Sequence, residues 1–144
     1  MATLNDLLAI KGREVVSISS TESVSNAANL MLSRNIGGLV VYDGTRVAGI
    51  ITERDVVRRV TAPGLDPAKT KVESVMTTPV VMVPAEMSIE ECAALMTAKR
   101  LRHLPVGKGD KLDGMLSIGD LLAHQVREAE ATINHMNRYI HDLR

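Results

Sequence analysis

Aromatic side chains are almost missing from this sequence: its 144 residues include two tyrosines and no phenylalanine or tryptophan. The core must therefore be built from Val, Ile, Leu, Met and Ala. The same scarcity removes the stacking platform on which single-stranded nucleic-acid binding rests. Net charge is missing as well, because 17 Lys and Arg balance 17 Asp and Glu. Without a basic field to hold a phosphate backbone, nucleic acid is not expected as a partner. A single cysteine, Cys92, excludes an intramolecular disulfide framework and a cysteine zinc cluster. No apolar run approaches the length of a membrane span, so no membrane partner is expected. The first residues, Met1 to Asp6, lack the basic-then-apolar layout of a signal peptide. A cytoplasmic protein is expected, with an organelle interior as the alternative.

What is present is a repeat. Gly49-Ile50-Ile51-Thr52-Glu53-Arg54-Asp55 matches Gly114-Met115-Leu116-Ser117-Ile118-Gly119-Asp120 at an offset of 114 − 49 = 65. The same offset pairs Val15-Val16 with Val80-Val81, Ser23 with Ser88, Leu30-Met31 with Leu95-Met96 and Gly44 with Gly109, without a gap. Each copy reads β-α-β-β-α. In the first, Val15 to Ser19 is β-rich, and Thr21 and Ser23 offer helix N-caps. Val24, Ala27, Ala28 and Met31 then follow at helical spacing. Asp43-Gly44 is a hairpin turn between two apolar runs, and a second helix starts near Thr52. The second copy gives Val80 to Val83, Ser88 to Lys99, Leu104 to Val106, Leu112 to Leu116 and a helix from Ser117. Short lead-in helices match too, Leu7 and Ile10 aligning with Val72 and Val75.

A three-stranded sheet with helices on one face cannot bury both faces alone. The expected fold is therefore α/β (α+β), two pseudo-symmetric repeats packed sheet to sheet. The boundaries are residues 4–61 for the first repeat, 62–71 for a linker, 72–125 for the second repeat and 126–144 for a helical extension. In that extension Leu122, Val126, Ala129, Ile133, Met136, Ile140 and Leu143 alternate spacings of four and three, a heptad stripe. It faces either a partner subunit or the chain's own module. A homodimer is expected.

The duplicated Gly-apolar-apolar-Thr/Ser-x-x-Asp, the lead-in Val75-Met76-Thr77-Thr78-Pro79-Val80 and Arg102-His103-Leu104-Pro105-Val106 together resemble a tandem pair of cystathionine-β-synthase-type (CBS) domains, or Bateman module. The resemblance covers roughly residues 4 to 125. It implies a regulatory module that binds AMP, ADP, ATP or NAD in clefts between the repeats and signals to an effector protein.

Physically, Thr52 places a hydroxyl and backbone N–H groups at a helix N-terminus, a seat for phosphate. Asp55 one turn later can accept two hydrogen bonds from a ribose diol. Thr-x-x-Asp is also the spacing of a capping box. The resemblance pairs Thr52 and Asp55 with Thr78, Pro79, Val80, Leu101, Arg102 and His103. It pairs Ser117 and Asp120 with Arg13 to Val16 and with Ile36, Gly37 and Gly38. Arg102, His103 and nearby Arg54 would serve a phosphate in the first cleft. The second has glycines in place of Arg102 and His103, with Arg13 as its one possible cation, and should bind phosphorylated ligands more weakly.

Cys92 aligns with Ala27 on an apolar helix face and is expected to be buried. Met31, Met87, Met96 and Met115 fall on core periodicity. His124, His135 and His141 share no metal-ligand spacing, so no metal site is expected. No nucleophile–base pair or phosphate-loop signature points to an enzyme. The competing reading is a ligand-independent dimerisation or scaffold protein.

Overall fold

The structure, a computed structural model, describes residues 2–142. Its elements run α1 (Leu4–Lys11), β1 (Ser17–Ser19), α2 (Val24–Arg34), β2 (Gly38–Asp43), β3 (Arg46–Thr52) and α3 (Glu53–Val56). A π-helical turn, Val57–Thr61, continues α3, and a 3-10 turn, Val72–Ser74, follows the linker. The second half adds α4 (Ile89–Lys99), β4 (His103–Lys108), β5 (Lys111–Ser117) and the long α5 (Ile118–Asp142). The class is mixed α+β with two small sheets, as expected.

The 65-residue offset holds in the backbone. Ser23 and Ser88 cap α2 and α4, their hydroxyls accepting the amides of Asn26 and Glu91, each at 3.1 Å. Both helices stop at a left-handed residue, Asn35 (φ 53°) and Arg100 (φ 54°). Both hairpins break register at the equivalent step, between Val41 and Tyr42 and between Val106 and Gly107.

The sheets differ. In the first, β1 pairs parallel with β2, and β2 antiparallel with β3. The second has two strands, and the expected strand Val80 to Val83 is reduced to one bridge, Val83 to Val106. Pro79 and Pro84 flank that stretch, and neither can donate to a ladder.

The lead-in segments are exchanged between repeats. Leu4, Leu7 and Leu8 of α1 are buried with Ile89, Cys92, Met96 and Leu116 in the second repeat's core. Val72 and Val75 are buried with Val24, Met31 and Ile51 in the first repeat's core. Equivalent glycines admit them: a Cβ on Gly49 would stand 2.6 Å from Met76 Sδ, and one on Gly114 would stand 2.5 Å from Leu8 Cδ2. The lead-in before Val80 is a single 3-10 turn rather than a helix matching α1. Because each core is completed by a segment from outside its own repeat, the two halves stabilise one another.

Cys92 is fully buried, and burial pushes its thiol up from the ordinary value. Met31 and Met96 are buried, Met87 packs at the core's edge, and Met115 instead lines a cleft. Helix α5 buries Leu121, but every described residue from Gln125 to Asp142 is exposed. The stripe is thus not folded back on the chain's own module; its last member, Leu143, lies outside the described residues.

Candidate functional site

Two clefts lie between the repeats. The first, about 370 Å³, brings together Thr52, Arg54 and Asp55 with Pro79, Val80, Leu101, Arg102 and His103. These are the residues that sequence reasoning paired, except Thr78, which is exposed and does not line it. Thr77 takes its place. Its backbone exchanges two hydrogen bonds with Ile50 (2.7 and 3.1 Å), which turns its hydroxyl inward to donate to Asp55 Oδ1 at 2.9 Å. The second cleft, about 550 Å³, collects Arg13, Val16, Ile36, Gly37, Gly38, Ser117 and Asp120. Both volumes are of small-molecule size.

The two acidic residues are already engaged. Asp55 Oδ2 accepts from the Thr52 amide (3.0 Å) and hydroxyl (3.1 Å), while Thr52 Oγ1 accepts the Asp55 amide at 3.2 Å. That is a reciprocal capping box at the start of α3. Arg59 Nε stands 3.8 Å from Asp55 Oδ1. Ser117 and Asp120 repeat the box at the start of α5, with distances of 2.7 and 3.2 Å. Asp120 also holds Lys11 Nζ at 2.7 Å. Burial pushes its carboxyl up, but the bonds from Lys11 and Ser117 outweigh burial and leave it below the ordinary carboxylate value.

The first-turn amides are less free than the sequence suggests. Glu53 N–H donates to Gly37 O (3.0 Å), and Ile118 N–H donates to Arg102 O (2.9 Å). With the Asp55 and Asp120 amides taken by the caps, the groups left to meet an anion are mainly side chains. In the first cleft these are Arg54 and Arg102, joined by Arg58, Arg59 and Arg100, which sequence reasoning missed. Arg100 had one signal: it aligns with Asn35, the residue at which α2 fades.

The second cleft holds more cations than the one expected, Arg13. Besides Arg13 it holds Lys11 and Arg34. Nothing in the sequence separates α1 from the first repeat, so Lys11 is not legible there as a residue of this cleft; the docking of α1 on the second repeat carries Lys11 to Asp120. Arg34 is paired with Glu14 at 2.7 Å and Arg13 with Asn5 Oδ1 at 2.7 Å, so the first cleft still carries the larger cationic set.

His103 lines both clefts. A Cβ on Gly37 or Gly38 would stand 3.0–3.3 Å from its ring, so the two glycines are what lets the imidazole lie between the repeats. Gly38 is the 65-residue equivalent of His103, and where equivalent positions meet, only one can carry a side chain. His103 Nδ1 is buried without a hydrogen-bond partner among the described residues. Burial holds the imidazole below its ordinary value of 6.5, with Glu53 opposing. This shift favours the neutral ring, which can meet a phosphate by a hydrogen bond from its N–H rather than by charge.

The CBS domain family model matches residues 5–62 and 72–127. The chain belongs to the CBS-domain family. This CBS pair superposes on a candidate signal-transduction protein with CBS domains from Burkholderia ambifaria MC40-6 with a TM-score of 0.84. The two are 40% identical, over 88% of this chain and 95% of that one. It is 33% identical to the CBS domain-containing protein YhcV of Bacillus subtilis, over 86% of this chain and 91% of the relative. It is also 33% identical to the mitochondrial CBS domain-containing protein CBSX3 of Arabidopsis thaliana, over 96% of this chain and 71% of the relative. Such relatives mark a regulatory CBS module. Among the described residues no helix is long and apolar enough to cross a membrane, and no cluster of three His, Cys, Asp or Glu is placed to hold a metal ion.

Proposed function

We propose that this CBS pair is a cytoplasmic, non-catalytic sensor that binds an adenine nucleotide (AMP, ADP, ATP or NAD) in the clefts between its repeats and signals to an effector protein as a homodimer. The observation that carries the reading is the pairing across each cleft. One repeat supplies a Thr/Ser-x-x-Asp junction, and the other supplies arginines and an apolar wall of Pro79, Val80 and Leu101 in the first cleft. An apolar wall suits a flat base, a carboxylate suits a ribose diol, and arginine forks suit phosphate. Asp55 Oδ1 keeps acceptor capacity beyond its bond to Thr77.

One observation favours the competing scaffold reading: both carboxylates already have internal partners, Asp55 in Thr52 and Thr77 and Asp120 in Ser117 and Lys11. Calorimetric titration of ligand-stripped protein with AMP, ADP, ATP, NAD and adenosine separates the two. Saturable heat with an adenine nucleotide and none with a pyrimidine nucleotide supports the sensor; no heat with any of the panel supports the scaffold.

A further inference from the structure

Helix α5 leaves the module after Leu121 and exposes an apolar stripe that nothing among the described residues covers. Leu122, Val126, Ile133, Met136 and Ile140 are 53–56% exposed. With Ala129 they alternate spacings of four and three, so the stripe stays on one side of a gently supercoiled helix. In heptad terms, Val126, Ile133 and Ile140 fall at the a positions, all β-branched. Leu122, Ala129 and Met136 fall at the d positions, none of them β-branched. Among parallel coiled coils, β-branched a positions with Leu at d favour two strands over higher assemblies, and here the a positions fit fully and Leu122 fits at d.

The flanking positions fit the same arrangement. Gln125, Thr132 and Tyr139 lie at g, with Glu130 and Asn137 at e, so an in-register parallel pair brings no like charges together across the seam. The outer face mixes Arg127 and Arg138 with Glu128 and Asp142. Such a balance does not draw the helix to an anionic lipid surface, which takes a polar face rich in Lys and Arg.

We propose that α5 forms a parallel, two-stranded coiled coil with α5 of a second copy of this chain, along the Leu122–Ile140 stripe. This specifies how the homodimer joins and does not depend on which ligand the clefts take. Its consequence is positional. The first turn of α5 carries Asp120, so the helix that pairs the subunits is also the helix that floors the second cleft. The seam begins two residues beyond Asp120, at Leu122. A change at the second cleft that shifts α5 is thereby felt at the seam, and the two second clefts of a dimer share it.

Cysteine cross-linking of the full chain tests the arrangement. The native Cys92 is buried, so Ala129→Cys and Met136→Cys each add one accessible thiol. Both lie at d, and in a parallel in-register pair each meets its own copy; in an antiparallel pair at most one position can. Under mild oxidation both variants are expected to give mostly covalent dimer, while Ala131→Cys, on the outer face, gives at least fivefold less. Ile133→Asp is expected to weaken self-association at least tenfold by sedimentation, with the thermal transition of the module retained. The proposal is overturned by any of three results. These are a wild-type chain that sediments as a monomer at high concentration, cross-linking at Ala131→Cys equal to that at the d positions, or a stripe protected only when phosphatidylcholine or phosphatidylserine vesicles are added.

Discussion

Lys11 Nζ stands 2.7 Å from Asp120 Oδ2, joining the end of the first helix to the first turn of the last. The pair depends on α1 docking against the second repeat, where Leu4, Leu7 and Leu8 are buried. It also puts a cation beside the carboxylate assigned to ribose. Lys11→Met is expected to lower stability by about 1 kcal/mol, the scale of a partly exposed ion pair. At the second cleft it should weaken AMP several-fold while leaving adenosine nearly unchanged, because the cation is lost and the carboxylate is freed. Equal losses for AMP and adenosine in a binding titration would assign Lys11 a structural role alone.

A pH dependence of stability follows from the two depressed groups at the clefts. Asp120 titrates below 3.8 in the folded chain, so its contribution is present above 3.8 and is lost as pH falls through the lower folded value. His103 titrates below 6.5, so folding is weakened as pH falls from about 6.5 toward its lower folded value. Urea unfolding between pH 7.5 and 4.5 is expected to show stability falling with pH, and His103→Gln should flatten that slope. A slope unchanged in His103→Gln would move its origin to other groups.

The fit of His103 over Gly37 and Gly38 is open to a double-mutant cycle. A methyl on Gly38 meets the imidazole at 3.0–3.3 Å. Gly38→Ala should therefore cost about 1–3 kcal/mol, as other overpacked cores do. The cost should largely disappear in a His103→Ala background. Additive effects would show that the alanine strains something other than the ring.

Much of this arrangement is legible in the sequence. A gapless 65-residue offset reports the duplication, and caps such as Ser23 and Ser88 stand where the spacing puts them. The residues gathered at the first cleft follow from pairing the junction of one copy with the strand start of the other. What escaped depends on tertiary partners. The exchange of lead-in segments cannot be read from aligned repeats, because Leu7 looks equally apolar against either core. Lys11 escaped with it. The glycines at 37 and 38 read as an absence of charge; their role shows only when the ring of His103 is seen lying over them. The missing strand near Val80 was signalled by Pro79 and Pro84 and outweighed by the β-rich Val80-Val81-Met82-Val83.

Arg102 is exposed at the rim of the first cleft, opposite Thr52 and Asp55. A charge-assisted fork to phosphate is roughly twice as strong as a neutral hydrogen bond. Arg102→Ala should reduce AMP affinity at that cleft about tenfold and adenosine affinity less than twofold, and it should reduce the salt dependence of AMP binding. Titrations at low and moderate salt check both. A parallel loss for both ligands would mean that Arg102 shapes the cleft rather than reading phosphate.

The most direct test of the account is the contribution of the two repeated carboxylates to nucleotide binding. A ribose diol held by a carboxylate is worth roughly 1.5–3 kcal/mol. Calorimetric titration of AMP into the wild type, Asp55→Ala, Asp120→Ala and the double variant, each checked for a cooperative thermal transition, separates binding from capping. The expected result is at least a tenfold loss of affinity at one cleft in each single variant and no measurable binding in the double variant, with all four proteins folded. Unchanged AMP affinity in a folded double variant would reduce both residues to helix caps and contradict the account.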